Sequence, residues 1–215
     1  MADKPRAVIL DLDAAVIDSR PAWRYALEEA VMMVTGERVD TGELVDEYRQ
    51  RPWHHVVPIV VHDREAQDRC IELCEQYFRR SALKRLLVFD GIGMALDRIR
   101  GAYVEMGGVT RETHPSAMRQ IESTGVDRFL SVLAPTNEGG WDAVARFTEC
   151  VTYLEADPTK TVFVSPVEED LASVSQTGAL PIRAAWAEDT TVCENGLEHP
   201  SLLWASLERM TWERS

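Results

Sequence analysis

Lysine is almost missing from this sequence: only Lys4, Lys84 and Lys160 occur in 215 residues. Lys and Arg together number 23 against 36 Asp and Glu, so the formal net charge is −13. A surface this negative repels phosphate backbones and anionic lipid, which argues against nucleic acid or a membrane as partner. A small anionic ligand is still allowed, because a local cation can reverse the field inside one pocket. Long apolar runs are missing too: stretches such as Val56 to Val61 are far too short to span a bilayer. The chain starts Met-Ala-Asp-Lys-Pro-Arg and passes directly into a strand-like run, with no signal-peptide pattern, so a cytoplasmic location is expected. Cysteine is sparse, and Cys70, Cys74, Cys150 and Cys193 form no CxxC pair. Cys70 and Cys74 share a helix face with no third ligand beside them, which makes reduced core residues the expected reading.

What is present is an alternation. Short apolar runs occur at residues 7–11, 102–109, 129–134, 161–164 and 180–185. Helical stripes separate the later ones: Ile92, Ala95, Leu96 and Ile99; then Ala117, Met118 and Ile121, closed by Gly125; then Val144, Ala145, Val151 and Leu154. Strands alternating with helices predict an α/β protein, a doubly wound parallel sheet covered on both faces. Residues 19–85 break the rhythm. There Ser19 is placed to cap a helix with Pro21 in its first turn, Trp23, Leu27, Ala30 and Val31 follow at helical spacing, and Gly36 stops it. The division expected is a core of residues 1–18 and 86–215 with an inserted α-helical cap of residues 19–85.

In a doubly wound sheet, ligands bind beyond the carboxyl ends of the strands. Those ends carry Asp11, Thr110, the neighbourhood of Asn137, and Ser165 followed by Glu168, Glu169 and Asp170. Asp11 and Asp13 are the sharpest feature. Two carboxylates two apart after a buried strand can ligate a hard cation, or divide nucleophile and acid roles between them. A solvated Asp turn is the plain alternative. His54 and His55 in the helical segment, and His114 beside Thr110, read first as surface or packing residues and second as substrate contacts.

The run from Val8 to Ser19 resembles the first motif of the haloacid dehalogenase superfamily, an apolar strand followed by Asp-x-Asp-Gly-Thr and then Asp-Ser; it matches at Asp11, Asp13, Asp18 and Ser19. Val109-Thr110 is similar to the second motif, Val164 to Asp170 stands where the fourth belongs, and Leu87 to Ile92 resembles the return from cap to core in phosphoglycolate-phosphatase-like members. The resemblance implies a Rossmann-like core. It also implies Asp11 as nucleophile, Asp13 as general acid/base, Thr110 holding the phosphoryl oxygens, and Mg²⁺ held by Asp11, Asp13 and Asp170. Arg111 is a further substrate-binding candidate, and Glu168 or Glu169, the second preferred, is the metal ligand that could stand in for the one lost at Pro166. The function implied is a phosphatase acting on a small phosphorylated metabolite through an aspartyl-phosphate.

Several family positions differ. Ala14-Ala15 replace Gly-Thr, and Ser165-Pro166 replace the Gly-Asp of the fourth motif. The Lys of the third motif should fall near Trp141, where there is none. Arg111 or Arg146 are the candidate replacements, although an Arg fork and a Lys point charge are not equivalent. These losses predict weak turnover and a weakly held or absent Mg²⁺. They leave two other readings open: an impaired binding or regulatory protein, and a metal-independent haloacid dehalogenase, against which Asp13 argues.

Overall fold

The computed structural model describes residues 7–42, 44, 53–137, 140–187 and 196–210. Five strands form one parallel sheet: β1 (Ala7–Asp11), β4 (Glu105–Thr110), β5 (Val132–Pro135), β6 (Thr161–Ser165) and β7 (Leu180–Arg183). Their order is β5-β4-β1-β6-β7, with Ile9 opposite Gly107 on one side and Phe163 on the other. Every residue of β1 is buried, as expected of a central parallel strand covered on both faces. The chain moves outward from β1 through β4 to β5, then crosses back to β6 and β7. The direction therefore reverses beside β1, and the carboxyl ends of β1 and β6 flank the crevice where such sheets bind ligands.

One face packs Val8, Leu10, Leu96, Ile99, Val162 and Leu203 against helices Ile92–Gly101 and Ser201–Arg209. The other packs Ile9, Val109, Phe147, Phe163 and Val174 against helices Ala143–Tyr153 and Glu168–Ser175. Strand boundaries are shorter than the apolar runs suggested. Helix Ile92–Gly101 extends nearly to Ala102, Tyr103 turns at φ 58, and β4 begins only at Glu105. Phe129 lies in a 3₁₀ turn before β5.

The helical segment builds a core of its own. Helix Arg20–Thr35 packs on helix Arg64–Tyr77 through Trp23, Leu27, Val31, Cys70, Cys74 and Phe78, with Trp23 stacked on Phe78 at 3.8 Å between centroids. Burial pushes the Cys70 thiol up to about 11, so it stays a thiol and packs as a small apolar group. Cys193 lies outside the described residues. A two-residue antiparallel pairing of β2 (Ile17–Asp18) with β3 (Leu87–Val88) joins the exit from the core to the return.

The entry to the first helix departs from expectation. The Ser19 hydroxyl makes no capping bond; the Ser19 carbonyl accepts from Ala22 and Trp23 instead. Asp18 takes over the side-chain role, accepting from the Arg20 backbone N–H at 3.2 Å and pairing with the Arg20 guanidinium at 2.7 and 2.8 Å. Gly36, at φ 76, ends the helix as expected. Among the described residues no helix is long and apolar enough to cross a membrane.

Candidate functional site

After β1 the chain enters a single π-helical turn, Leu12–Val16, whose residues are all buried. No residue of this turn has positive φ, so Ala14 and Ala15 occupy it without the strain that a glycine-requiring turn would impose. The room comes from β4. A Cβ on Gly108 would stand 2.7 Å from Leu12 Cδ1, so glycine here leaves room for the Leu12 side chain to pack on the strand. Trp186 Nε1 donates to the Ala15 carbonyl at 3.0 Å and holds the turn from the far side.

The turn swings Asp13 back beside Asp11. Asp13 accepts from Thr110 Oγ1 at 2.7 Å and from the Arg111 backbone N–H at 2.5 Å. Thr110 Oγ1 in turn accepts from the Glu112 N–H at 3.0 Å, so the end of β4 is knitted to Asp13 through one hydroxyl. Asp11 is 0% exposed. Its Oδ2 accepts from Ser165 Oγ at 2.8 Å, across the β1–β6 crevice.

Arg111 occupies the centre. Its side chain is fully buried. Nη1 lies 3.2 Å from both Asp11 oxygens, and Nη2 donates to Asp170 Oδ2 at 2.5 Å. The guanidinium faces the Trp141 ring at 4.2 Å, and Trp141 Nε1 donates to both Asp170 oxygens at 3.3 Å. One cation is thus bracketed by two carboxylates and covered by an indole.

The charges explain the titration behaviour. Burial, then repulsion from Asp11, raises Asp13 to about 6; Arg111 and the Thr110 bond pull the other way without cancelling it. Burial also raises Asp170, despite its contact with Arg111. For Arg111 burial opposes the charged form, but Asp11, Asp170 and Asp13 together outweigh it and raise the pKa further. The guanidinium is charged at every accessible pH.

Asp11, Asp13, Thr110, Arg111 and Asp170 therefore lie in one hydrogen-bonded cluster. Glu169 does not join it: like Glu168 it is exposed on the first turn of its helix. The four-carboxylate Mg²⁺ set expected from the sequence is not assembled. Among the described residues no three His, Cys, Asp or Glu side chains gather as a metal site. The reason is steric and electrostatic: the Arg111 nitrogens lie between the oxygens of Asp11 and Asp170, where a divalent ion would have to sit. The residues present do not fit the ion. Arg146 is no substitute either, since it donates to the Pro135 carbonyl at 3.0 Å and pairs with Glu149 at 2.9 Å. Lys84 is exposed. Asn137 is exposed in a short bridge with Gly140, and His114 is exposed where it opens helix His114–Thr124.

Beside the cluster a cavity of about 290 Å³ opens between the helical segment and the core, lined by Trp23, His54, Arg79, Arg111, Arg119 and Thr136 among others. Burial, then His55, lowers the His54 pKa. The sequence places both Ser165 and Trp141 near the site, but not their contacts: Trp141 covers the cation, and Ser165 holds Asp11. The signal for the first was present: the position where the resemblance required a Lys holds an aromatic, and Arg111 directly follows Thr110.

No family model matches the chain. Tyrosine-protein kinase PtkA of Mycobacterium tuberculosis is 24% identical over 190 residues, 86% of this chain; the chain spans 63% of that relative's length. The solved structure of M. tuberculosis PtkA superposes with a TM-score of 0.69 at 21% identity, covering 90% of this chain and 93% of that one. A HAD-superfamily hydrolase, subfamily IA, variant 1, from Geobacter sulfurreducens gives a TM-score of 0.73 at 18% identity over 94% of this chain and 96% of its own. A predicted phosphoglycolate phosphatase from Haemophilus somnus gives 0.78 at 10% identity, covering 94% and 97%. At these identities the likeness speaks for the fold. With the β5-β4-β1-β6-β7 sheet, the helical insertion after β1 and Asp11 at the β1 terminus, the chain has the haloacid dehalogenase superfamily fold.

Proposed function

We propose that this chain is a haloacid-dehalogenase-type hydrolase of low turnover, acting on small phosphate esters that enter beneath a cap formed by residues 19–85. The observation that carries the reading is the joining of Asp11, Asp13 and Thr110 at the crevice beside β1, next to the cavity under the helices. In this reading Asp11 attacks phosphorus and the ester P–O bond breaks. Asp13 gives its proton to the departing oxygen, and a raised pKa of about 6 keeps part of it protonated near neutrality. Water then hydrolyses the aspartyl-phosphate and regenerates Asp11. Arg111 faces the charge that the missing Lys would otherwise offset.

Turnover is low because Asp11 is fully buried and both its oxygens are engaged by Arg111 and Ser165. Attack requires the Asp11–Arg111 pair to open first. The same burial favours a second reading, a binding or regulatory protein that keeps the fold without turnover. PtkA is named a tyrosine kinase, and phosphoryl transfer from an aspartyl-phosphate differs from hydrolysis only in the acceptor, so phosphotyrosine belongs among the substrates tested. The test is a screen of small phosphate esters and phosphotyrosine beside Asp11→Asn. Slow release of phosphate that disappears in Asp11→Asn supports the hydrolase. Activity equal in both proteins overturns it in favour of the binding reading.

A further inference from the structure

We infer that Arg111 is the resident cation of this edge, a tethered replacement for a divalent ion, and that Trp141 is the positioning residue that retains it. The inference depends on the proposed function only for the location of the site, not for any turnover there.

Asp11, at the end of β1, is fully buried; Asp170, in the first turn of helix Glu168–Ser175, keeps 13% side-chain exposure; and Asp13, 6% exposed, lies beside Asp11. Buried like charges must be neutralised or protonated. A divalent ion is one solution; a guanidinium fork is another, because its nitrogens are fixed in a plane and reach two acceptors at once. Here Nη1 serves Asp11 and Nη2 serves Asp170. The aromatic face of Trp141 covers the cation, and its Nε1 holds Asp170 in the orientation that Nη2 needs. Cation, counter-charges and cover therefore come from four separate elements: the end of β4, β1, helix Glu168–Ser175, and the loop after β5. An arrangement with the cation on the chain needs no ion from solution, and it excludes one, since a second positive charge would have to share the same oxygens.

The test uses thermal melting, which does not depend on activity. A site holding Mg²⁺ or Mn²⁺ at a hundredfold excess over its Kd would raise the Tm of a chain this size by about 5–10 °C. The wild-type protein should show no such rise with either ion, and none should be lost on adding EDTA. Arg111→Ala opens a void walled by Asp11 and Asp170. That variant should melt lower and regain several degrees in millimolar methylguanidinium or Mg²⁺, and Asp170→Asn in the same background should lose the response. A folded Arg111→Ala that answers neither cation overturns the inference. Should Arg111→Ala fail to fold, the wild-type titration decides alone: a rise of about 5–10 °C with Mg²⁺ refutes a resident Arg111, and its absence upholds it. Absent phosphatase activity would count against the proposed function and leave this result unchanged.

Discussion

Arg111 lies face-on against Trp141, 4.2 Å from guanidinium carbon to ring centroid, with its Nη1 on Asp11 and its Nη2 on Asp170. The indole does not supply charge. It covers charge supplied from another strand, and it secures Asp170 with the same side chain.

Arg111→Lys should not be conservative. An ammonium can meet Asp11 or Asp170 but does not bridge both while lying flat under Trp141. Breaking a buried ion pair of this kind typically costs about 3–5 kcal/mol, and the lysine variant should lose a substantial part of that in urea unfolding. A loss below about 0.5 kcal/mol, the usual bound for a surface substitution, would mean that the fork geometry is unimportant.

Trp141→Phe retains an aromatic cover and removes the bonds to Asp170. The expected cost is about 1 kcal/mol. Because Trp141, Arg111 and Asp170 form one network, a double-mutant cycle of Trp141→Phe with Asp170→Asn should be non-additive by at least about 0.5 kcal/mol. Additive losses would separate the indole from the carboxylate.

Asp13 gives the pH dependence. Its folded pKa of about 6 lies above the ordinary 3.8, so the proton binds more tightly in the folded state. Its contribution to stability is full below the unfolded pKa and is lost as pH rises to about 6, with a magnitude on the order of 2–3 kcal/mol. Unfolding free energies measured across this window should show that decline in the wild type. The Asp13→Asn difference should remove it, and an unchanged slope would assign the titration elsewhere.

Gly108→Ala tests the packing that seats the Leu12–Val16 turn. The new Cβ would meet Leu12 Cδ1 at 2.7 Å and Leu12 Cγ at 2.9 Å. Overpacking of this kind costs about 1–3 kcal/mol. A paired Leu12→Ala substitution should relieve part of it, and failure to do so would place the strain outside this contact.

The fold could be read from the sequence because burial on both faces leaves continuous apolar strands, and a stretch of 3.6-residue periodicity without strands marks the helical insertion. Boundaries were less visible, since Ala102 and Phe129 are apolar yet lie in a helix end and a 3₁₀ turn. Asp11, Asp13 and Thr110 stood out because polar residues ending apolar strands are unusual. The partner of Asp11 did not. Whether Arg111 points to a substrate or back to Asp11 depends on the rotamer and on Trp141, some thirty positions away, and neither local propensity nor charge pattern encodes that choice. Glu169 lies outside the cluster for a related reason: it precedes Asp170 on a helix, and consecutive helical residues do not share a face.

Arg111 fills the space between Asp11 and Asp170. In crystals soaked in saturating Mn²⁺, anomalous diffraction should show guanidinium density bridging the two carboxylates and no anomalous peak between them. A Mn²⁺ peak on Asp11 and Asp170, with Arg111 turned away, would contradict this placement of Arg111.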